Sequence, residues 1–520
     1  MHILRAQTIR SLDEQTIKSG TPGEMLMERA GRGAFRFLTR VAAPGARRFL
    51  VASGKGNNAG DAFVVARYLR EHGMHVDLLT LAPPQELSND ARLMFDRAAA
   101  LGIPVSHGYH ELDLVRLFSM WHGDAIIDGV LGTGVHGAVS GVFWAAIQCM
   151  NGHAAPVYAL DVPSGLDSDT GEPCGVAVHA RWTAMFASAK HAILSDGGAA
   201  CCGRVEVIDI GIKRDLVAAA GEKEHSPACA LSSTEVAELL PRRALQDHKN
   251  RFGHLLVIAG SRGMTGAAVL CAQSALKAGA GLVTVAVPQS LLHLVAPCIP
   301  ACMTLPVPDN NAGRFTEPCF GAVAASLDRF TAIAVGPGMG THDDTVQFLA
   351  KLAAMAAVPM VIDADALNII AAQPYLEAAL KGRPAVLTPH PGEFARLAKS
   401  AKPSDAAAER IAAAQTFAAE RQVALVLKGF QSVIAAPDTG PILNLTGNPG
   451  MATAGAGDVL TGIIGSLLAQ GVKPRDAAAA GCYLHGIAGD IAAGSRAMES
   501  LTAPDMIAAL GEAYNYVHSS

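Results

Sequence analysis

The chain has 520 residues, half of them apolar and only 5% aromatic, a length that accommodates two to four domains with sizeable cores. Its formal net charge of −5 gives no ground for broad nucleic-acid or membrane-surface binding, and ten cysteines without CxxC pairs or metal-ligand spacing read as reduced, mostly buried thiols. The stretch MHILRAQTIRSLDEQ is charged too early for a secretory signal, and no apolar run reaches spanning length without Lys, Asp or Gln inside it, so a cytoplasmic protein with no membrane and no nucleic-acid partner is expected.

In the first half, strands are predicted at Arg48–Ser53, His75–Leu81, Ala125–Leu131, Val157–Asp161 and Val205–Ile210, with helices at Ala59–Glu71 and Asp90–Leu101 between the early ones. Strands that are apolar along nearly their whole length imply a sheet covered on both faces, and hence parallel pairing. Around Val217–Ser233 the pattern lapses into Ala, Gly, Glu, Lys and Pro, which reads as a linker. A second alternating series follows at His254–Ala259, Gly281–Val287, Thr331–Val335, Met360–Asp363, Ala385–Leu387, Val423–Leu427 and Val433–Ala436. The expected organisation is therefore α/β throughout: domain 1–216, linker 217–233, domain 234–520, each a three-layer α/β/α fold.

Three strand ends in the first half carry polar chemistry. Val51 leads through Ser53, Gly54, Lys55 and Gly56 into Asn57, Asn58, Ala59, Gly60 and Asp61, a strand running into a glycine loop and then a helix. Asp128 precedes the small-residue loop Gly129 to Gly134, and Asp161 opens the Pro-fixed turn Asp161-Val162-Pro163-Ser164-Gly165. Amide and carboxylate oxygens suit a hard cation or ribose and phosphate groups. Without a Cys or His cluster they favour an alkali or alkaline-earth ion over zinc, the plainer alternative being Asp residues that cap loops.

The second half has loops of ligand-crevice composition at successive strand ends, where open α/β sheets bind their ligands. They are Gly260 to Ala267, Gly336 to Gly340, Asp363 to Asn368, Thr388 to Glu393 and Lys428-Gly429. The stretch that organises them is Thr446 to Gly471, TGNPGMATAGAGDVLTGIIGSLLAQG. Its turn-rich start and small residues leave backbone N–H groups free at the beginning of an apolar helix, Val459 to Leu468, a setting that attracts anions. A carboxylate there, Asp458, repels the phosphate that the amides attract. Its sensible task is to accept a proton from a hydroxyl beside a phosphate; an ordinary N-cap Asp is the bland alternative. No Gly-Lys-Ser/Thr follows a Gly-rich loop, so this is not a P-loop.

The second-half residues resemble the ribokinase-like superfamily. More closely, VIDADALN, LTPHPGEF and TGNPGMATAGAGDVLTG are similar to the ADP-dependent dehydratases that repair hydrated NAD(P)H, over most of Asp247 to Leu510. The resemblance implies that nucleotide binds at Lys428, Gly429, Phe430, Gln431, Ser432 and Gly457, and that substrate lies near Ala267, Gly338, His390 and Asp458. It implies phosphorylation of the ring hydroxyl by ADP, with Asp458 as base, then loss of phosphate to restore the C=C bond. For the rest the residues leave alternatives: His390 as a rigid-turn histidine, Glu393 as a helix N-terminal carboxylate, Lys428 as a solvated charge, Asp363 and Asp365 as magnesium ligands or turn-forming acids. Ala454 stands where glycine is common in the family.

The first half, Leu12 to Ile212, resembles the NAD(P)H-hydrate epimerases, whose early helix is matched by TPGEMLMERAG from Thr21 to Gly31. This implies a Rossmann-like fold, potassium held by Asn58, Asp128 and Ser164, and substrate bound by Asn57, Asn58, Ala59, Gly60, Asp61, Gly132, Thr133, Gly134, Val135, His136, Gly137, Ala138 and Asp161. Asp161 is the expected proton-transfer group, with Lys190 an assistant or a surface charge. Ala59 and Ala62 replace the family's usual glycines, methyls that would restrict the approach of pyrophosphate. The expectation is a bifunctional repair enzyme for NADHX and NADPHX, using ADP, potassium and magnesium, as a homo-oligomer. The alternatives are a small-molecule kinase of the ribokinase type and a first half that only binds nucleotide or a partner.

Overall fold

The computed structural model describes residues 1–135 and 137–519, which divide into two compact units, Met1–Ser233 and Thr234–Ser519. His136, expected in the substrate loop, lies outside the described residues. No described helix is long and apolar enough to cross a membrane, and the ten cysteines are free thiols.

The first unit is built on seven strands: β1 (Arg48–Ser53), β2 (His75–Thr80), β3 (Val105–His107), β4 (Ala125–Gly129), β5 (Val157–Leu160), β6 (Trp182–Phe186) and β7 (Arg204–Ile208). They lie in the order β3-β2-β1-β4-β5-β6-β7, all parallel. Phe49 to Ala52 and Ala125 to Ile127 are buried on both faces of the sheet, as strands between two helix layers must be. The order reverses between β1 and β4, where Ser53 pairs with Gly129. Loops leaving neighbouring strands at such a switch point diverge and open a crevice at the strands' C-terminal ends.

Residues 217–233 do not form the expected linker. Arg214–Glu224 is helical, and Cys229 bridges His2 on the same unit. Alanines at 218–220 favour helix in spite of the glycine and the flanking charges, so weak apolar periodicity was a poor marker of a boundary here.

The second unit has nine strands: β8 (His254–Ile258), β9 (Leu282–Pro288), β10 (Met303–Val307), β11 (Ala332–Val335), β12 (Met360–Ile362), β13 (Ala385–Leu387), β14 (Ala424–Leu427), β15 (Val433–Ala436) and β16 (Thr439–Leu443). Their order is β10-β9-β8-β11-β12-β13-β14-β15-β16, parallel through β14 and antiparallel for the last two. Lys428–Ser432 is thus the five-residue loop between β14 and the antiparallel β15.

The helix Ala456–Ala469 is buried along most of its length, packed on the helices Thr265–Lys277 and Pro474–Gly494 and on the sheet. Gly462 permits the closest of these approaches: a Cβ there would come 2.0 Å from Ser274 Oγ and 2.2 Å from the Cys271 carbonyl oxygen. The backbone of one helix therefore lies against the other with no room for a methyl. Gly462→Ala is expected to cost about 1–3 kcal/mol of stability, an overpacking effect read as a lower denaturant midpoint. An unchanged midpoint would contradict this close packing.

Candidate active sites

A cavity of about 710 Å³ opens at the C-terminal ends of β1, β4 and β5 in the first unit. The structure brings to its wall Asn57, Asn58, Asp61, Gly132, Thr133, Gly134, Val135, Gly137, Ala138 and Asp161. Two expected substrate residues are not there. The helix already begins at Asn57, so its period turns Ala59 and Gly60 into the core. Ala59 is fully buried, and a Cβ on Gly60 would meet Met27 Sδ at 2.4 Å. Ala62 is also fully buried and packs toward Gly129. The methyls of Ala59 and Ala62 therefore fill the core and leave the cavity loop free to approach a ligand.

Asp128, at the end of β4, is fully buried. Its Oδ2 accepts from Ser164 N at 2.8 Å, and its Oδ1 from Ser164 Oγ at 2.5 Å and Val130 N at 3.2 Å. Burial pushes its carboxyl up to about 6 against the pull of these bonds. Asn58 Nδ2 donates to the Leu131 carbonyl at 2.8 Å, and Ser164 Oγ lies 3.1 Å from the same oxygen. Asn58 Oδ1 is left buried with no hydrogen-bond partner. An orphaned amide oxygen beside a shared carbonyl and a buried carboxylate is an all-oxygen donor set that fits a monovalent cation.

Asp161 sits just past β5 with φ 63, a left-handed conformation that costs a non-glycine residue energy. Its Oδ1 accepts from Phe186 N at 3.3 Å and pairs with Lys190 Nζ. Lys190 is no surface charge: it is fully buried, and Nζ also donates to the Phe186 carbonyl at 2.7 Å. Sequence reasoning missed Asp13, which lines the same cavity from the helix Ala6–Lys18. Burial, and then the charge of Asp161, push its carboxyl up to about 6. The same two causes, joined by Asp13, hold Asp61 well above the usual carboxylate range. An acid lying on a polar helix face one turn from the next apolar position leaves no signal in a single sequence.

In the second unit, Asp458 lies in the first turn of Ala456–Ala469, whose N-cap Gly455 has φ 85. Burial first, then the charge of Asp363, push its carboxyl up to about 6, opposed by Lys428. Asp363 is buried at the end of β12; its Oδ1 accepts from Lys428 Nζ at 2.8 Å and its Oδ2 from Thr461 Oγ1 at 2.8 Å. Burial would lower the Lys428 ammonium, but Asp363 outweighs it and holds the group above its usual value. Lys428 is therefore not the solvated charge considered from sequence. Gly457 stands at this pair: its Cβ would lie 3.5 Å from Lys428 Nζ and 3.6 Å from Asp363 Oδ2. Gly336 lets the neighbouring turn close over it, since a Cβ there would come 1.9 Å from the Asp363 carbonyl oxygen.

Asp365 Oδ2 accepts from Gly340 N at 2.9 Å, holding the neighbouring loop, whereas both Asp363 oxygens are engaged by Lys428 and Thr461. Gly338 and Ala267 are brought together, 3.1 Å separating a Cβ on the one from the methyl of the other. His390 caps the helix Pro391–Ala398, its Nδ1 accepting from Gly392 N at 3.0 Å and Glu393 N at 3.3 Å. Glu393 Oε2 returns the bond, accepting from His390 N at 2.8 Å. This capping box gives both residues a structural task and leaves the His390 side chain half-exposed. In the loop Lys428–Ser432, Gly429 has φ 149, Phe430 is exposed, and Ser432 Oγ donates to the Gly429 carbonyl at 3.1 Å. Buried Arg410, absent from the sequence reading, clamps the loop by donating to the Phe430 and Leu427 carbonyls. Asp490 fixes the turn before the helix through Gly447 N at 2.9 Å and Asn448 Nδ2 at 3.0 Å. Ala454 is exposed.

The family model described as NAD(P)H-hydrate dehydratase matches residues 255–511, and the one described as YjeF-related protein N-terminus matches residues 23–192. The bifunctional NAD(P)H-hydrate repair enzyme Nnr of Moorella thermoacetica is 39% identical over 513 residues, covering 98% of this chain and 95% of the relative. The enzyme of the same name from Escherichia coli K12 is 34% identical over 491 residues, covering 94% and 89%. Among solved structures, the ADP/ATP-dependent NAD(P)H-hydrate dehydratase from Bacillus subtilis, co-crystallized with ATP/Mg2+, is 28% identical with TM-score 0.46, covering 56% of this chain and 99% of its own. Similar over nearly its whole length to relatives that carry both halves, the chain belongs to the family of bifunctional NAD(P)H-hydrate repair enzymes.

Proposed function

We propose that the first unit interconverts the R and S hydrates of NADH and NADPH, and that the second dehydrates the S hydrate at the expense of ADP. The observation that carries the reading is Asp458. A partly buried carboxyl, pushed up to about 6 by burial and the Asp363 charge, stands at a helix start next to the Lys428–Asp363 pair. In the dehydration, Asp458 takes the proton of the ring hydroxyl as that oxygen attacks the terminal phosphoryl group of the nucleotide. First-turn amides and Lys428 stabilise the charge on the transferring group. The phosphate ester, a far better leaving group than hydroxide, then departs as the ring nitrogen supplies electrons. Loss of a proton from the neighbouring carbon restores the C=C bond. Gly457 and the loop Lys428–Ser432 hold the nucleotide, while Ala267, Gly338 and His390 border the hydrated ring. Magnesium, when present, accompanies the nucleotide phosphates and neutralises their charge.

In the epimerisation, Asp161 is the proton-transfer group, oriented by buried Lys190. Asn58, Asp128 and Ser164 are the residues that would hold potassium, and its fixed positive charge would favour an anionic substrate beside them. Asn57, Asp61, Gly132 to Val135, Gly137 and Ala138 border the substrate. The test is to offer the mixed hydrates with ADP, ATP or no nucleotide and follow reduced-nicotinamide absorbance. Complete recovery with nucleotide and none without it is expected. A phosphorylated ring that accumulates with no regained absorbance would make the second unit a plain kinase instead.

A further inference from the structure

Asp13 belongs to no motif of the sequence, yet it faces the cavity that holds Asp161. Its Oδ1 is buried with no hydrogen-bond partner. A bare carboxyl oxygen costs about 1–3 kcal/mol, and buried polar atoms are nearly always satisfied unless they serve a ligand. The groups whose charge acts on Asp13 come from two other elements: Asp161 after β5 and Lys190 after β6. Asp13 in turn acts on Asp61 of the helix Asn57–Glu71, and Arg10, Lys55 and Asp90 line the same cavity. Lys190 is committed to Asp161. One cavity thus holds two carboxyl groups in contrasting settings: one paired to a buried ammonium, the other with a buried oxygen that has no hydrogen-bond partner. Two acids in such different settings can divide the acid and base roles between them.

We propose that Asp13 is the acid of the epimerisation, giving its proton to the C6 hydroxyl of the hydrate while Asp161 acts as the base. This rests on the epimerase reading of the first unit. Once protonated, the hydroxyl leaves as water: the C6–O bond breaks with its electron pair, and the lone pair of the ring nitrogen forms a C6=N bond. Water then adds to the opposite face of C6, its oxygen supplying the electrons of the new C–O bond as the C=N pair returns to nitrogen. Asp161 takes the surplus proton, and transfer of that proton through solvent to Asp13 closes the cycle. Nothing is consumed; only the configuration at C6 changes. Burial places the Asp13 carboxyl near 6, close to the pH at which a general acid is both protonated and willing to donate.

The test uses the full chain and pure R hydrate of NADH. Wild-type R-to-S exchange is expected to fall as pH rises above about 6, where Asp13 loses its proton. Asp13→Asn should lower kcat for exchange by about a hundredfold or more, abolish that alkaline limb and leave KM within a few-fold. Dehydration of S hydrate by the same variant, with an unfolding temperature no lower than that of the wild type, serves as the check that the chain is folded. Asp13→Glu should restore part of the rate together with the limb, which a purely structural role for the side chain would not do. Exchange by Asp13→Asn within threefold of wild type, or an alkaline limb that persists in it, overturns the role while leaving the epimerase reading intact. A wild-type chain that does not speed exchange at all overturns both.

Discussion

Asp458→Asn is expected to lower dehydration of the S hydrate by about a hundredfold or more while nucleotide binding persists. The amide keeps the shape of the side chain and the surrounding helix start, so what is lost is the capacity to take a proton. The pH profile provides the sharper sign. A base works only when ionised, and burial together with the Asp363 charge places this carboxyl near 6 in the folded chain. Dehydration by the wild-type enzyme should therefore rise with pH through about 6, and the variant should show no such limb. Stability moves the other way. A carboxyl whose folded value is raised binds its proton more tightly in the folded state, so its contribution is lost as pH rises through that value. Removing the charge should raise the unfolding temperature at pH 7, which separates lost chemistry from lost fold. Full dehydration by Asp458→Asn would refute the role.

Asp161→Asn is expected to lower exchange of the R and S hydrates by about a hundredfold or more and to leave dehydration of pure S hydrate unchanged. The asparagine retains an oxygen to accept from Phe186 N and Lys190, so the strained turn at φ 63 keeps its hydrogen bonds. Asp161→Ala is the harsher change. It strands a fully buried ammonium, and an uncompensated buried charge costs about 3–5 kcal/mol. If Asp161→Asn exchanges the epimers at the wild-type rate, Asp161 is not the proton-transfer group. Stopped-flow mixing with chirally pure hydrate resolves the two outcomes.

The central strands of both sheets were legible because covered sheets need uninterrupted apolar runs, and β1, β4, β8 and β11 have them. The strands that escaped notice have other reasons. β3 is three residues long on an exposed edge, and β10 and β16 lie at the sheet margins with partly exposed faces, so burial never forced an apolar pattern on them. β6, Trp182–Phe186, is fully buried but has a threonine and an alanine within five residues, a run too short and mixed to tell from a loop. At the sites, loops that follow strands announced Asn58, Asp128, Asp161 and Asp458, since glycine and acid cluster there within a few residues. Helix period explains the placement of Ala59 and Gly60: the motif is helical from Asn57, so Asn57, Asn58 and Asp61 line the cavity while Ala59 and Gly60 turn into the core. Asp13 and Arg410 were invisible because each reaches its site from the side of a helix that carries no motif, Asp13 from far away in sequence and Arg410 from 17 to 20 positions before the carbonyls it holds. The ion pairs Lys190–Asp161 and Lys428–Asp363 join residues 29 and 65 positions apart, contacts that only the folded sheet order can supply.

The most direct measurement supplies pure R hydrate of NADH with ADP to Asp161→Asn alone, to Asp458→Asn alone, and to an equimolar mixture of the two. Two separate reactions linked by the S hydrate require that neither variant alone regenerate NADH faster than spontaneous epimerisation allows, and that the mixture do so. Rapid NADH formation by either single variant, or none from the mixture, would contradict a division of labour between the two carboxylates.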